Sequence, residues 1–196
     1  MALPGVSAEQ IKKFHLIVCK FKLVLDLGAA EGEEAAQRGW PIGPDDFDVM
    51  IEARSFTNGS DKKAVKTLYR TTSTNQLGGV TKLDFQKMAA PSVEEARRLG
   101  GCLNLCVNLK KLDLDRVGMS DEILQALLAS LSEHALPKLE SLLLHNNKIE
   151  DAGMRALESA IAGGAFPALR DIYVGYNPAG KEAQEAVEAA LAKRKK

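Results

Sequence analysis

The residues best suited to chemistry in this chain are its cysteines, and their spacing predicts no active site. Cys102 and Cys106 lie four residues apart, and two thiolates at that spacing are able to begin a zinc site. A structural zinc site needs four ligands, and the sequence has no second cysteine or histidine pair at finger-like spacing. We therefore expect Cys102 and Cys106 to be buried thiols near the bend before a strand. Cys19 lies in an apolar stretch and is predicted to belong to a core.

The histidines, acids and glycine pairs give no stronger signal. His15 and His134 have no acidic or nucleophilic neighbour that would make a triad, so each is predicted to be a surface or packed side chain. Asp45, Asp46 and Asp48 lack the spacing of a calcium loop and are typical of a helix start. The sequence thus predicts a protein that is not an enzyme and holds no metal or other cofactor. Three glycine pairs lack the continuation of a phosphate loop and are predicted to lie where repeats turn: 78–79, 100–101 and 163–164.

The composition is that of an ordinary soluble globular protein and favours no class of charged partner. Of 196 residues, 45% are apolar and 27% are charged. Lys and Arg together number 26, as do Asp and Glu, so the net charge favours neither nucleic acid nor an anionic membrane. The odd number of cysteines, three, predicts a reducing, cytoplasmic setting. The basic tail at 193–196 is interpreted as a frayed helix end, with a nuclear address as the alternative.

Residues 1–78 show no repeat and are predicted to form a mainly helical cap region. Residues 7–10 form a capping-box pattern before the apolar-rich segment 11–27, which favours a helix, while its alternation leaves a strand as the alternative. The segment lacks a basic leader and is interrupted by charges, so neither a signal peptide nor a membrane span is predicted. A separate interaction or membrane-surface helix is the alternative to a cap. Further predicted elements are a loop at 28–43 and helices at 45–56 and 60–71, the second capped by Ser60.

From residue 79 onward the chain repeats itself with a period of about thirty residues. The pattern L-x-x-L-x-L-x-x-N-x-I begins at Leu139, and variants of it begin at Leu169, at Leu109 and, more weakly, at Val80. The L-x-L part alternates as a strand does, and the segment after it carries a helical stripe. Because a single unit leaves its flanks apolar, stacking of units is what buries the core. Short parallel strands, each followed by a helix, are expected to centre on 83–85, 112–114, 142–144 and 172–174.

These phrases resemble the leucine-rich repeat family, in its ribonuclease-inhibitor-like subtype, over residues 79–196. The most specific are NLKKLDL, LESLLLHNNKIEDAGMRAL and LRDIYVGYN. The resemblance implies an α/β fold: a short solenoid of about four repeats, with a parallel sheet on its concave side and helices on its convex side. Asn147 and Asn177 are predicted to join neighbouring coils through bonds to the backbone, in a ladder that Val117 interrupts. Gly153 matches the glycine that the family carries after the turn.

The resemblance implies protein–protein recognition, and we expect it on the outward positions of the sheet. Read across the repeats, these positions give paired acids in the early coils and an apolar and aromatic patch in the later ones. Buried anchors usually carry affinity while exposed charges set on-rate, so the acids are predicted to steer a basic segment onto the patch. The predicted protein-binding residues are Asp84, Asp113, Asp115, Leu143, His145, Tyr173 and Tyr176.

We therefore interpret the chain as an intracellular adaptor or scaffold that binds a protein partner of unspecified identity through the concave face. The alternative is a structural subunit, packed permanently into a larger assembly through the solenoid ends or the N-terminal helices. Neither nucleic-acid binding nor membrane insertion is predicted. The repeat itself does not specify the partner, because one fold serves many functions.

Overall fold

A computed structural model describes residues 39–55 and 59–194, which form six helices and one sheet. Two helices come first, α1 at Pro44–Glu52 and α2 at Gly59–Gly79. Four strand–helix units follow. In chain order they are β1 (Lys82–Asp84) with α3 (Val93–Leu103), β2 (Lys111–Asp113) with α4 (Asp121–Ala129), β3 (Ser141–Leu143) with α5 (Asp151–Ala162), and β4 (Asp171–Tyr173) with α6 (Lys181–Lys193).

The four strands form one parallel sheet in the order β1-β2-β3-β4, which confirms the predicted α/β architecture. Equivalent positions of the repeat are paired in register, so Leu112 lies beside Leu142, and Asp113 beside Leu143. Each strand starts one residue earlier than predicted. The reason is that the backbone N–H of Ser141 already donates to the preceding coil, to the Lys110 carbonyl at 2.9 Å.

The core lies between the sheet and the helices, and all four repeats share it. Leu112 and Leu114 are 2% and 1% exposed, and the same alternation buries Leu142 and Leu144 in the next strand. Met154 and the other apolar residues of α5 pack from the helix side. Full burial of such a side chain is worth about 1.5–3 kcal/mol, so the core of this stack depends on every unit having a neighbour.

Helix α3 begins at a capping box that is readable from the sequence as S-x-x-E. The Ser92 hydroxyl accepts from the Glu95 N–H at 3.2 Å, and the Glu95 carboxylate accepts from the Ser92 N–H at 2.8 Å. Reciprocal capping satisfies two N–H groups that would otherwise lack partners. The position of α3 behind β1 is therefore fixed locally as well as by the core.

Helices α1 and α2 form a pair with a small core of its own. The Phe47 ring stacks on Tyr69 with the ring centroids 3.7 Å apart, and burial raises the pKa of Tyr69 to about 12. Helix α1 covers most of the predicted 45–56, and Asp45 and Asp46 lie in its first turn, as predicted.

The prediction for the second helix, 60–71 capped by Ser60, is wrong at both ends. Helix α2 begins at Gly59, so Ser60 lies inside it, and it runs on to Gly79. A buried stripe with helical spacing extends from Val65 to Leu77, which is 2% exposed, and its burial keeps the polar stretch between them helical.

The segment 39–79 also packs on the first repeat. The Trp40 ring lies 5.2 Å from Phe85, and its indole N–H donates to the Ala89 carbonyl at 3.1 Å. Leu77 belongs to the repeat core, and Asn108 donates to the Gly78 carbonyl at 2.7 Å. Within residues 39–55 and 59–194, no helix is both long enough and apolar enough to cross a membrane. The predictions for 7–10, 11–27, His15 and Cys19 lie outside the described residues.

Candidate protein-binding surface

Four of the seven predicted binding residues lie within strands, on the face opposite to the buried leucines, because side chains alternate along each strand. The other three, Asp115, His145 and Tyr176, lie just after strands. We call the surface formed by all seven the open sheet face. The register places Asp84 beside Asp113, then Leu143, then Tyr173. The predicted rows are therefore real neighbours across the sheet. The open sheet face consists of Asp84, Asp113, Asp115, Leu143, His145, Tyr173 and Tyr176.

Three of these residues form an aromatic cluster: His145, Tyr173 and Tyr176. The His145 ring lies 5.5 Å from the Tyr173 ring and 6.2 Å from the Tyr176 ring, both in tilted arrangements. Gly175 leaves room for the His145 ring, because a Cβ at position 175 would lie 3.2 Å from His145 Nδ1. Tyr173 is 44% exposed and Tyr176 is 82% exposed. Leu143, half-buried and in register with Tyr173, extends the cluster toward the earlier coils.

The prediction that Asp113 and Asp115 are exposed acids is wrong. They are 5% and 8% exposed, and their carboxylates accept hydrogen bonds from the backbone. Asp113 accepts from the Asp115 N–H at 3.2 Å, and Asp115 accepts from the His145 N–H of the next coil at 2.7 Å. A short carboxylate at the end of a strand reaches such N–H groups more readily than solvent. Burial raises the pKa of Asp115, and this effect is larger than the lowering by the hydrogen bond from the His145 N–H.

The remaining acid, Asp84, is partly exposed but already has partners. It accepts from the Gln86 N–H at 3.2 Å, the same local turn that Asp113 makes one coil later. The Lys82 ammonium lies 3.1 Å from its carboxylate, and Lys111 lies 3.6 Å from that of Asp113. Asp84 and Asp113 are therefore each matched by a lysine of their own strand.

The asparagine ladder joins the later coils as predicted. Asn147 Oδ1 accepts from the N–H groups of Val117 at 3.1 Å and Met119 at 3.0 Å. Its Nδ2 donates to the carbonyls of Leu114 at 2.8 Å and Leu144 at 3.1 Å. Val117 is itself a buried apolar side chain, so the ladder does not continue through it. Asn177 repeats the pattern one coil later with Ile149 (3.1 Å), Leu144 (2.9 Å) and Val174 (2.7 Å).

Each strand is followed by a corner in which one residue adopts a left-handed backbone, a feature that sequence reasoning missed. These residues are Lys87 (φ 62°), Arg116 (φ 57°), Asn146 (φ 55°) and Tyr176 (φ 57°), and we call them the corner row. All four are exposed. Only asparagine is a residue type that favours this conformation, so residue identity gave no signal at the other three. The sequence did contain one signal for these corners, which is that all four residues occupy the same position in the repeat.

A second set of bonds ties the helix starts together. The Asp121 carboxylate accepts from the Glu150 N–H at 2.7 Å, and Asp151 accepts from the Gly180 N–H at 2.7 Å. Gly153 lies against the first of these bonds, since a Cβ there would overlap the Asp121 carboxylate. Close approach of the neighbouring coil, rather than an unusual backbone angle, is what requires glycine at this position.

The other chemically suggestive residues lie away from the open sheet face. Cys102 and Cys106 are buried, as predicted, and burial raises the pKa of each thiol to about 12. Gly100 lies inside α3, not at a turn as predicted, and a Cβ there would lie 2.5 Å from the Ser130 Cβ, at the residue that follows α4. His134 is exposed. In the described part of the chain, no three His, Cys, Asp or Glu side chains are grouped so as to hold a metal ion.

The four strand–helix units are stacked, their strands form one parallel sheet, and an asparagine ladder joins the strand ends. These features define a leucine-rich repeat fold, and the resemblance inferred from the sequence is confirmed. The chain is 46% identical over 70 residues to human leucine-rich repeat-containing protein 75B, and 44% identical over 72 residues to the mouse protein. These matches cover 35% and 36% of this chain. The chain spans only 22% and 23% of the length of these two relatives.

Comparison with protein families finds no matching family. Among solved structures, leiomodin-1 actin-binding site 2 aligns with 65% of this chain and 90% of its own, at a TM-score of 0.46 and 14% identity. The tropomodulin C-terminal domain of Caenorhabditis elegans aligns with 64% of this chain and 92% of its own, at a TM-score of 0.44 and 16% identity.

Proposed function

We propose that this chain is a protein-interaction domain, an adaptor or scaffold, that binds a protein partner through the open sheet face. The observation that carries the proposal is the aromatic cluster. Tyr173 and Tyr176 are large, exposed at 44% and 82%, and packed around one imidazole ring. Exposed aromatic side chains that are close together are enriched at the energetic centres of protein interfaces.

The surroundings of the cluster support a docking role. Leu143 adds apolar surface on one side, and the Tyr hydroxyls and the His145 ring supply polar groups. Strand pairing on β3 and β4 holds these side chains, and the Asn177 bonds fix the corner between Tyr173 and Tyr176. A partner therefore meets a surface that is already ordered, which lowers the entropic cost of association.

Binding is also favoured over catalysis by the state of the only thiols in the described part of the chain. The pKa of Cys102 and of Cys106 is raised to about 12, so neither provides a thiolate nucleophile near neutral pH. We also propose an intracellular setting, which these free thiols support.

The test is affinity capture followed by kinetics with a matched control. Proteins retained by the immobilised wild-type chain are compared with those retained by a Tyr173→Ala/Tyr176→Ala variant. The control, Val49→Ala/Val107→Ala, removes two exposed apolar side chains that lie on α1 and in the turn after α3. For a captured partner, we expect Tyr173→Ala alone to cost about 1–3 kcal/mol of binding, mainly through a faster dissociation rate.

Two outcomes would count against this function. If the partner bound the tyrosine variant and the control with equal affinity, the open sheet face would not be the binding surface. If the purified chain aggregated in size-exclusion chromatography and became monodisperse only with other subunits present, it would be a permanent structural subunit. A soluble monomer that loses its partner on tyrosine substitution is the expected result.

A further inference from the structure

The corner row has a charge pattern that the strands of the open sheet face do not share. Lys87 and Arg116 are exposed, and neither forms an ion pair with a residue in the described part of the chain. By contrast, Lys82 and Lys111 lie beside carboxylates of their own strands. The corner row is therefore positively charged, opposite to the sign that the sequence predicted for the sheet surface.

The acids near these cations form no ion pair with them in the described part of the chain. The charge of Arg116 acts on its chain neighbour Asp115, but the Asp115 carboxylate is buried and bonded to the His145 N–H. Glu122 and Glu150 are exposed, yet they lie beyond the corners at the starts of α4 and α5. The corner itself carries two cations, an amide and a phenol.

The geometry of the row fits an extended segment. Backbone bonds continue through the corners, from the Lys87 N–H to the Asp115 carbonyl at 3.1 Å and from the Asn146 N–H to the Gly175 carbonyl at 3.2 Å. Neighbouring corners are thus held at the spacing of parallel strands, about 4.8 Å, and the row from Lys87 to Tyr176 is about 14 Å long. An extended segment of roughly four residues has the same length.

The backbone at these corners also favours a role for the side chains. Glycine adopts the left-handed conformation without steric cost, whereas long side chains do so at a penalty. Lys87, Arg116 and Tyr176 nevertheless occupy three of the four corners. Residues held in such a conformation are frequent at binding sites.

We propose that the corner row recognises an extended acidic segment of a protein partner, with an apolar residue at one end. Lys87 and Arg116 pair with two carboxylates, Asn146 hydrogen-bonds the main chain of the segment, and Tyr176, with Tyr173 behind it, contacts the apolar residue. This inference rests on the proposed function and specifies the chemistry of the partner at the same surface. The ion pairs lie at the rim, so they set orientation and on-rate, while the tyrosines slow dissociation.

Fluorescence anisotropy with two labelled peptides tests this proposal on the full chain. The acidic peptide carries two glutamates and then a phenylalanine at alternate positions, so that these side chains share one face of the extended chain, and the basic peptide carries lysines in place of the glutamates. We expect the acidic peptide to bind more tightly, with an affinity that falls as salt is added. A Lys87→Glu/Arg116→Glu variant should weaken its binding about tenfold, because two attractive pairs become repulsive.

The control variant, Lys63→Glu/Arg155→Glu, makes the same charge change at exposed positions on α2 and α5. It should bind the acidic peptide as wild type does, and both variants should keep the wild-type circular dichroism spectrum, since lysine, arginine and glutamate all carry a Cβ at these positions. Equal weakening by the two variants, or absence of binding by wild type, would overturn the inference. If the basic peptide bound instead and lost affinity on Tyr173→Ala, the inference would fail while the proposed function would stand.

Discussion

Adding one methyl group at Gly153 is predicted to destabilise the stack of repeats, although alanine is normally the better helix residue. Gly153 is the third residue of α5 and is buried. A Cβ at this position would overlap the Asp121 carboxylate of the previous coil and lie 2.7 Å from Ile149 Cγ2. Because Ile149 is fully buried, only Asp121 has room to move, and moving it breaks its 2.7 Å bond from the Glu150 N–H.

The magnitude follows from three contributions. Loss of the hydrogen bond to a carboxylate costs about 1.5–3 kcal/mol, and the overpacking that remains costs about 1–3 kcal/mol. Replacing a helical glycine by alanine recovers about 0.5–1 kcal/mol. Because the movement of Asp121 relieves part of the overpacking, we expect Gly153→Ala to lower the free energy of unfolding by about 2–4 kcal/mol.

Urea unfolding followed by circular dichroism measures this free energy, and Gly101→Ala is the matched control. Gly101 lies near the end of α3, is exposed, and has no atom within 4 Å of an added Cβ. That change should raise the free energy of unfolding by about 0.5–1 kcal/mol. If both substitutions stabilised the chain to the same extent, the close approach of Asp121 to Gly153 would be refuted.

Three further predictions concern the ladder, a buried acid and the strand faces. Asn147→Ala should lower the free energy of unfolding in urea by at least about 3 kcal/mol, because it leaves several buried backbone groups unpaired. Asn177→Ala should cost less, because its site is partly exposed; equal costs would contradict this. Burial raises the pKa of Asp115, so its ionised form destabilises the folded state at neutral pH and its protonated form does not. Asp115→Asn should therefore raise the free energy of unfolding relative to wild type at pH 7. In urea titrations at lower pH, this advantage should shrink as the pH falls toward 3.8, the ordinary pKa of an aspartate. A difference in free energy between the two chains that does not change with pH would contradict the assignment. In thermal melts, Leu144→Ala should cost about 2–5 kcal/mol and Leu143→Ala far less, while the reverse order would mean that the strand faces are exchanged.

The sequence predicted the repeated architecture well, because the features that define it are periodic. The spacing of Leu112, Leu142 and their equivalents set both the strands and their register, and an error of one residue would have exposed the whole apolar set. Asn147 was identifiable because an amide at a strand end has few partners other than the backbone of the neighbouring coil, here the preceding one.

The details of the binding surface were less predictable, because they depend on contacts between coils. Asp115 occupies an outward position in the pattern, yet it lies within reach of the His145 N–H of the next coil, which only the three-dimensional stacking reveals. The left-handed corners at Lys87 and Arg116 are unfavourable for these residue types, so local preference pointed away from them. The extension of α2 to Gly79 likewise depends on the contact of Leu77 with the repeat core.

Site-specific photo-crosslinking tests the central claim, that a protein partner docks on the open sheet face, most directly. A photoreactive benzoylphenylalanine replaces Tyr173 in one variant and Arg155, exposed on α5, in another, and each is irradiated with the captured partner. The proposed binding mode predicts a covalent adduct from position 173 and none from position 155. An adduct from position 155 and none from position 173 would place the partner on the helices and contradict the claim.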